Sequence, residues 1–474
     1  MATILTPDIC VIGAGSGGLS VAAAVAAFGV PIVLIEKGKM GGDCLNYGCV
    51  PSKALLAAAK HAAGSRKLGP FGLRAPPAEI DFAKVQAHVQ GVIAAIAPND
   101  SKERFGGLGV HVIEAAARFK DKATVIAGTF EIKARRFVVA TGSSPAVPDI
   151  PGLSETPYLT NETIFDLARV PEHLIILGAG PIGLEMAQAF RRLGSAVAVL
   201  EARSPLAKED PECAAVVLDQ LTREGVVIRS GVNVMKLSRA GGRIQAMIQG
   251  PKGGETVQCS DLLVATGRRP NHEDLSLEAA GIKHGAHGIV VNRKLRTSNR
   301  RVYAIGDVAG RGQLTHLANY HAGLVVRNAL FRLPAKAKDH EVPRVTFTEP
   351  ELAHVGLTEL DAKEHRKAIR VLRWPYHEND RAQAEHETRG HIKVITARNG
   401  RILGATIVGA HAGELIATWA LALSQGLNIR VMAGLVMPYP TLGEVGKRAA
   451  VTYFSPSLTS PRVRRLIGFL RRFG

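Results

Sequence analysis

Apolar residues in this chain gather in short runs bounded by glycine, and two of those runs open the same local pattern. Asp8-Ile9-Cys10-Val11-Ile12 has strand character and leads at once into Gly13-Ala14-Gly15-Ser16-Gly17-Gly18. A helix of small residues from Leu19 to Phe28 follows, and a second strand, Pro31-Ile32-Val33-Leu34-Ile35, ends in Glu36. Strand, turn, helix, strand and terminal acid together predict a βαβ unit that holds a dinucleotide. Gly13, Gly15 and Gly18 permit a tight turn and close approach to a pyrophosphate, the helix N-terminus attracts its charge, and Glu36 accepts from ribose hydroxyls.

The pattern returns at His173-Leu174-Ile175-Ile176-Leu177, which runs into Gly178-Ala179-Gly180-Pro181-Ile182-Gly183, a helix through Arg192, and a strand 196–200 ending in Glu201. In both copies the acid follows the first glycine by 23 residues (36 − 13 and 201 − 178). Two copies predict two dinucleotides. A carboxylate at the position of Glu201 welcomes a ribose diol and repels a 2′-phosphate, which favours NADH over NADPH, although Arg203 two residues on weakens that preference. From Glu341 the character changes, with strands around Ile392–Ala397 and Ile402–Val408 and a helix from Glu414.

Chemistry concentrates in Gly41-Gly42-Asp43-Cys44-Leu45-Asn46-Tyr47-Gly48-Cys49-Val50-Pro51-Ser52-Lys53. Residues five apart on a regular helix stand about 8–9 Å apart at Cα, too far for the roughly 4.4–6.8 Å of a disulfide. The backbone between Cys44 and Cys49 therefore has to bend, and Gly41, Gly42 and Gly48 give it that freedom. Pro51 suits the opening turn of a helix running through Ser52–Ala59, which puts Cys49 near a helix N-terminus with Lys53 one turn on. That setting favours thiolate, the form thiol–disulfide exchange requires.

The stretch closely resembles the redox motif of the class I pyridine nucleotide-disulfide oxidoreductases, flavoenzymes that include dihydrolipoamide dehydrogenase, glutathione reductase and mercuric reductase. The resemblance covers about residues 8–455. It implies an α/β fold with two Rossmann-like dinucleotide-binding domains, for FAD and NAD(P), plus a C-terminal α+β dimerisation domain. The implied boundaries are 1–146 for the first part of the FAD domain with the disulfide, 147–269 for the NAD(P) domain, 270–340 for the central FAD part and 341–455 for dimerisation; residues 456–474 extend past the resemblance as a basic amphipathic tail.

By the same resemblance, Cys49 faces the flavin and Cys44 meets the substrate. Lys53, which pairs with Glu185 near the flavin, joins Gly13, Gly15, Gly18, Glu36, Gly42, Thr141, Gly142 and Asp307 on FAD. The NAD(P) residues are Gly178, Gly180, Gly183, Glu201 and Gly267. No resident metal is implied. The arrangement is a homodimer in which the partner's C-terminal segment completes each active site. In the dihydrolipoamide dehydrogenase branch that segment reads His-Pro-Thr-x-x-Glu; here it is Tyr439-Pro440-Thr441-Leu442-Gly443-Glu444. A phenol with pKa near 10 is a poor base at neutral pH, so the departure bears directly on substrate.

The reading carried forward is an oxidoreductase passing electrons from NADH, or NADPH, through FAD and Cys44–Cys49 to a small-molecule or protein disulfide such as lipoamide. A mercuric reductase-like metal-ion reductase is the first alternative. The mercuric branch also uses a C-terminal cysteine pair, and no cysteine follows Cys259 here. A membrane-docked electron-transfer flavoprotein serving a quinone or protein acceptor is the second.

The net charge of +18 is consistent with a nucleic-acid or anionic membrane partner. No helix-turn-helix, zinc-finger or aromatic RNA-binding signature accompanies it, so nucleic acid is not expected. Five cysteines are too sparse for a disulfide framework and point to a reducing cytoplasm. The N-terminus lacks the basic region of a signal peptide. In the tail, Val463, Leu466, Ile467, Leu470 and Phe473 fall at helical spacing with five arginines largely off that face, a pattern that fits peripheral membrane contact through 460–474 or a helix packed on its own protein.

Overall fold

A computed structural model describes residues 2–251, 253–365, 368–458 and 460–473. It contains two compact units: Met1–Lys67, Ala75–Ala202 and Arg229–Asp339 form the first, and Leu68–Arg74, Arg203–Ile228 and His340–Gly474 the second.

The first unit is organised on parallel strands. Ile9–Ile12 lies between Ile32–Glu36 and Arg136–Val139, with His111–Glu114 and Val302–Ala304 at the edges. Every residue of Ile9–Ile12 is buried, as expected of a short apolar strand covered on both faces. The crossover helix is Ser16–Ala27, and Thr315–Ala329 packs beside it. The second copy repeats the arrangement: His173–Leu177 pairs in parallel with Ala196–Glu201 on one side and Asp261–Val264 on the other, with Pro181–Arg192 as its helix. An antiparallel meander, Asn233–Ala240, Arg243–Gly250 and Gly253–Cys259, follows it. The two chain crossings, Ser143–Pro145 and Arg268–Pro270, pair with each other antiparallel.

In the second unit an antiparallel five-stranded sheet runs Arg344–Thr346, Glu351–Gly356, Ile402–Gly409, His391–Ala397, Ile369–Pro375. Helices Ala412–Ser424, Ile429–Gly434 and Glu444–Thr452 accompany it. Helix Pro211–Arg223 also belongs here, anchored by ionic chemistry: buried Lys393 lies 2.8 Å from Asp210, 3.0 Å from Glu212 and 2.8 Å from Glu359. Asp210 doubles as the N-cap of that helix. Among the described residues, no helix is long and apolar enough to cross a membrane.

Candidate active site

The two glycine turns are built alike to within tenths of an ångström. Gly13 and Gly178 have φ of +103° and +102°, and a Cβ on either would stand 2.4 or 2.5 Å from the carbonyl oxygen of Ala140 or Ala265. A Cβ on Gly18 or Gly183 would fall 1.8 or 2.1 Å from the carbonyl of the turn's first glycine. Strand, helix and returning strand thus meet at distances only glycine allows. The middle glycine differs: a Cβ on Gly180 meets nothing within 4 Å, which leaves that side of the turn bare for a pyrophosphate.

Glu36 accepts from the Ala14 amide at 2.5 Å and Glu201 from the Ala179 amide at 2.8 Å, so both carboxylates stand at the mouths of their turns. Gly42 lies against Gly15 so closely that its Cβ would be 2.7 Å from the Gly15 Cα, and no side chain of the redox loop can intrude over the first turn there. Thr141 donates to the Asn271 carbonyl at 2.6 Å, next to Gly142 with φ +68°. Gly267 has φ +134° in the matching position of the second copy. Asp307 accepts from Ser143 Oγ at 2.6 Å, and burial pushes its carboxyl pKa up. These groups suit the phosphate, ribose and polyol portions of two dinucleotides.

Between the cysteines the backbone does bend. A short helix, Gly42–Asn46, ends at Tyr47, and Cys49 itself opens the helix Cys49–Gly64. The helix therefore starts two residues earlier than Pro51 suggested, and the proline sits in the first turn, where amides lack intrahelical partners. Both sulfurs are free, and the Cys44 thiol hydrogen-bonds the Cys49 sulfur. That bond is the main cause holding the Cys49 pKa down to about 6, against its burial; Thr315, with Oγ1 at 3.3 Å, and the Lys53 charge act in the same direction. Cys44 is pushed up in return. Burial also raises Cys10 and Cys213, and Cys259 to about 12, so thiolate chemistry belongs to one sulfur of five.

Lys53 meets Glu185 at 2.8 Å, and the glutamate side chain is only 5% exposed. Two partners of the loop were not singled out in the sequence. Arg268 stands 2.9 Å from Asp43 and donates to Ser143 Oγ at 2.8 Å, and Asn161 donates to Asp43 at 3.0 Å and to the Tyr47 carbonyl at 3.2 Å. A charged residue inside the redox loop, and an arginine directly after Gly267, were the available signals.

Tyr439 and Glu444 lie in the second unit. The exposed Tyr439 hydroxyl donates to Asp380 at 2.8 Å, and that carboxylate raises the phenol pKa further above its ordinary value. Glu444 opens its helix, where an anion is favoured. His321 is a satisfied core residue, accepting from the Gly306 amide at 3.3 Å and facing Asp339 at 3.2 Å. Among the described residues, no group of three or more His, Cys, Asp and Glu could hold a metal ion.

Residues 7–322 match the pyridine nucleotide-disulphide oxidoreductase family, and residues 342–450 match its dimerisation domain. The chain is 36% identical over 450 residues to a mercuric reductase of Staphylococcus aureus, covering 94% of this chain and 82% of the relative. It is 35% identical over 464 residues to a dihydrolipoyl dehydrogenase of Thermus scotoductus, covering 93% and 95%. Among solved structures, the Cu(II) complex of the HOCl-induced flavoprotein disulfide reductase RclA from Escherichia coli is similar, with TM-score 0.83, 28% identity, and coverage of 93% of this chain and 98% of that one.

Proposed function

The chain belongs to the pyridine nucleotide-disulphide oxidoreductase family, and from that membership we propose that it reduces a small-molecule or protein disulfide through Cys44 and Cys49. It is a flavin-dependent enzyme with NAD(P)H as electron donor, and it carries the family's dimerisation domain, which supports a homodimer. The observation that carries the disulfide reading is the pair itself: two free sulfurs joined by a hydrogen bond, with Cys49 at the opening of its helix and its pKa lowered to about 6 by that bond.

The first glycine turn with Gly13, Gly15, Gly18, Glu36, Gly42, Thr141, Gly142 and Asp307 is assigned to FAD. The second, with Gly178, Gly180, Gly183, Glu201 and Gly267, is assigned to NAD(P)H, with NADH favoured by the Glu201 carboxylate. Held by the first set, FAD would supply the redox chemistry that carries an electron pair from NAD(P)H to the Cys44–Cys49 disulfide. Cys44 then attacks the acceptor: an S–S bond forms between Cys44 and one acceptor sulfur, and the acceptor's own S–S bond breaks. The Cys44 proton passes to Cys49 as this happens, which relieves the need for a base at position 439. Cys49 then gives that proton to the acceptor sulfur already released and attacks the Cys44 sulfur, which breaks the mixed disulfide, frees the remaining acceptor sulfur and restores Cys44–Cys49; one proton from solvent completes the acceptor dithiol. Lys53, paired to Glu185, keeps positive charge one turn from the thiolate.

A second reading is favoured by Tyr439. Its proton is directed at Asp380 and its pKa is raised, which suits a group that positions an acceptor better than one that moves protons. The acceptor would then be a thiophilic divalent metal ion that meets the two sulfurs and is reduced by the same electron pair, one mercuric ion taking both electrons or two cupric ions taking one each. The test is anaerobic NADH oxidation by the holoenzyme with lipoamide, and separately with mercuric or cupric ion, beside Cys44→Ser. Lipoamide turnover that Cys44→Ser abolishes is expected. Inert lipoamide with Cys44-dependent metal turnover selects the second reading, and turnover untouched by Cys44→Ser removes both.

A further inference from the structure

Residues 461–473 form a surface with no counterpart in the redox site. Helix Pro461–Leu470 has no buried residue, and Leu466, Ile467, Phe469, Leu470 and Phe473 are each more than half exposed. Phe469 and Phe473 stack edge to face with centroids 5.0 Å apart, extending the apolar strip past the end of the helix. The segment 460–474 contains five arginines, Arg462, Arg464, Arg465, Arg471 and Arg472, and no acid. It lies beyond the match to the dimerisation domain, which ends at residue 450.

We propose that this helix docks the protein on an anionic membrane surface, with Leu466, Ile467, Leu470 and Phe473 in the acyl boundary and the arginines among the headgroup phosphates. Two features on the helix select this occupant. A phosphate-rich nucleic acid would satisfy the guanidinium groups and leave the apolar strip in water, whereas a lipid interface takes both faces at once. A second copy seated on the same face by two-fold symmetry would bring arginine against arginine with no carboxylate in the segment to neutralise them. The helix is too short to span a bilayer, so the contact is peripheral.

The experiment is co-sedimentation of the full-length holoenzyme with vesicles of phosphatidylcholine alone and of phosphatidylcholine with phosphatidylglycerol, at low and high salt. A chain ending at residue 459 and the variant Leu466→Glu/Leu470→Glu are run beside it, with NADH reduction of bound flavin as the check that each is folded. Binding to anionic vesicles only, falling on the order of tenfold or more in both variants and at high salt, is expected. The proposal is overturned if the truncated chain sediments as the full one does, or if neutral vesicles bind equally. It is also overturned if truncation dissociates the dimer in sedimentation velocity, or if duplex DNA or RNA displaces the protein from vesicles and binds the Leu466→Glu/Leu470→Glu variant undiminished.

Discussion

The Arg268 guanidinium lies 2.9 Å from the Asp43 carboxylate, one residue before Cys44, while the same arginine donates from Nε to Ser143 and from Nη2 to the Ser143 carbonyl. Ser143 in turn donates to Asp307. A continuous polar chain thus runs from the redox loop through Arg268 and Ser143 to Asp307. Only 11% of the arginine side chain is exposed, and its charge is compensated by the Asp43 carboxylate in direct contact and by Asp307.

Replacing Asp43 with Asn should act in two ways. The Asp43 charge opposes the Cys49 thiolate, so its removal lowers the Cys49 pKa further, and iodoacetamide alkylation of the reduced protein should shift its midpoint to lower pH. Loss of the Asp43–Arg268 ion pair should cost about 1–2 kcal/mol of stability, read from thermal unfolding. An unmoved midpoint would show that the carboxylate does not act on the thiolate.

Cys44→Ala removes the bond that lowers Cys49 most. The alkylation midpoint of Cys49 should climb from about 6 toward or above the ordinary thiol value near 8.5. Lys53→Met should shift it the same way by a smaller amount, since the lysine charge ranks below the Cys44 bond among its causes.

Lys53→Met has a second consequence, because it removes the lysine charge from the buried Glu185 carboxylate. Losing this ion pair should cost about 2–3 kcal/mol, and Lys53→Met/Glu185→Leu should recover most of it. The measurement is a double-mutant cycle on unfolding with Lys53→Met, Glu185→Leu and the two together, and a double-variant loss equal to the sum of the two single losses would show that the pair does not act as a unit.

The duplicated turns were legible because their constraint is local: a strand, six residues of turn and a helix carry all the information, and Gly13 and Gly178 reach the same backbone geometry independently. The bend between Cys44 and Cys49 was legible from length alone. Asp43, Asn161, Arg268 and Thr315 were not, because each is defined by a partner far away in sequence, and a lone Asp or Arg more often faces water. The same holds for Lys393: nothing around residue 393 says that three carboxylates from 210, 212 and 359 surround it. Tyr439 was legible as a departure from the family pattern, but its partner Asp380 was not.

Acid should weaken the second unit through His354. This imidazole is 1% exposed, donates from Nε2 to the Gly356 carbonyl, and accepts from Thr406 at Nδ1; burial, with the nearby Arg344 charge, holds its pKa at about 4. Its folded pKa lies below the unfolded value of 6.5, so the unfolded chain takes up the proton first. Stability is complete above pH 6.5 and falls by about 3 kcal/mol as pH drops to 4. Glu212 and Glu359, held at about 2, add their loss only below 4.5. His391, also lowered, acts in the same sense within this unit, and His173 does so in the first unit. His354→Gln should therefore flatten the dependence of melting temperature on pH between 6.5 and 4 without abolishing it, and an unchanged slope would count against the histidine.

Tyr439 separates the two acceptor readings most sharply. If disulfide exchange uses the proton shared by Cys44 and Cys49, the phenol is a bystander, and Tyr439→Phe should leave lipoamide turnover within about twofold from pH 6 to 9, with no limb near the phenol pKa. Tyr439→His would then add an imidazole of pKa near 6.5 beside Asp380, and turnover should gain a pH limb in that region. If instead the hydroxyl helps seat a metal ion, Tyr439→Phe should lower metal-ion turnover at saturating NADH while flavin reduction proceeds at the wild-type rate. A loss of both activities at the flavin-reduction step would mean that the substitution acts on the fold, and steady-state rates would then say nothing about the acceptor. The pair of variants thus reads the chemistry at position 439 directly, because the hydrogen bond to Asp380 fixes which proton is at stake.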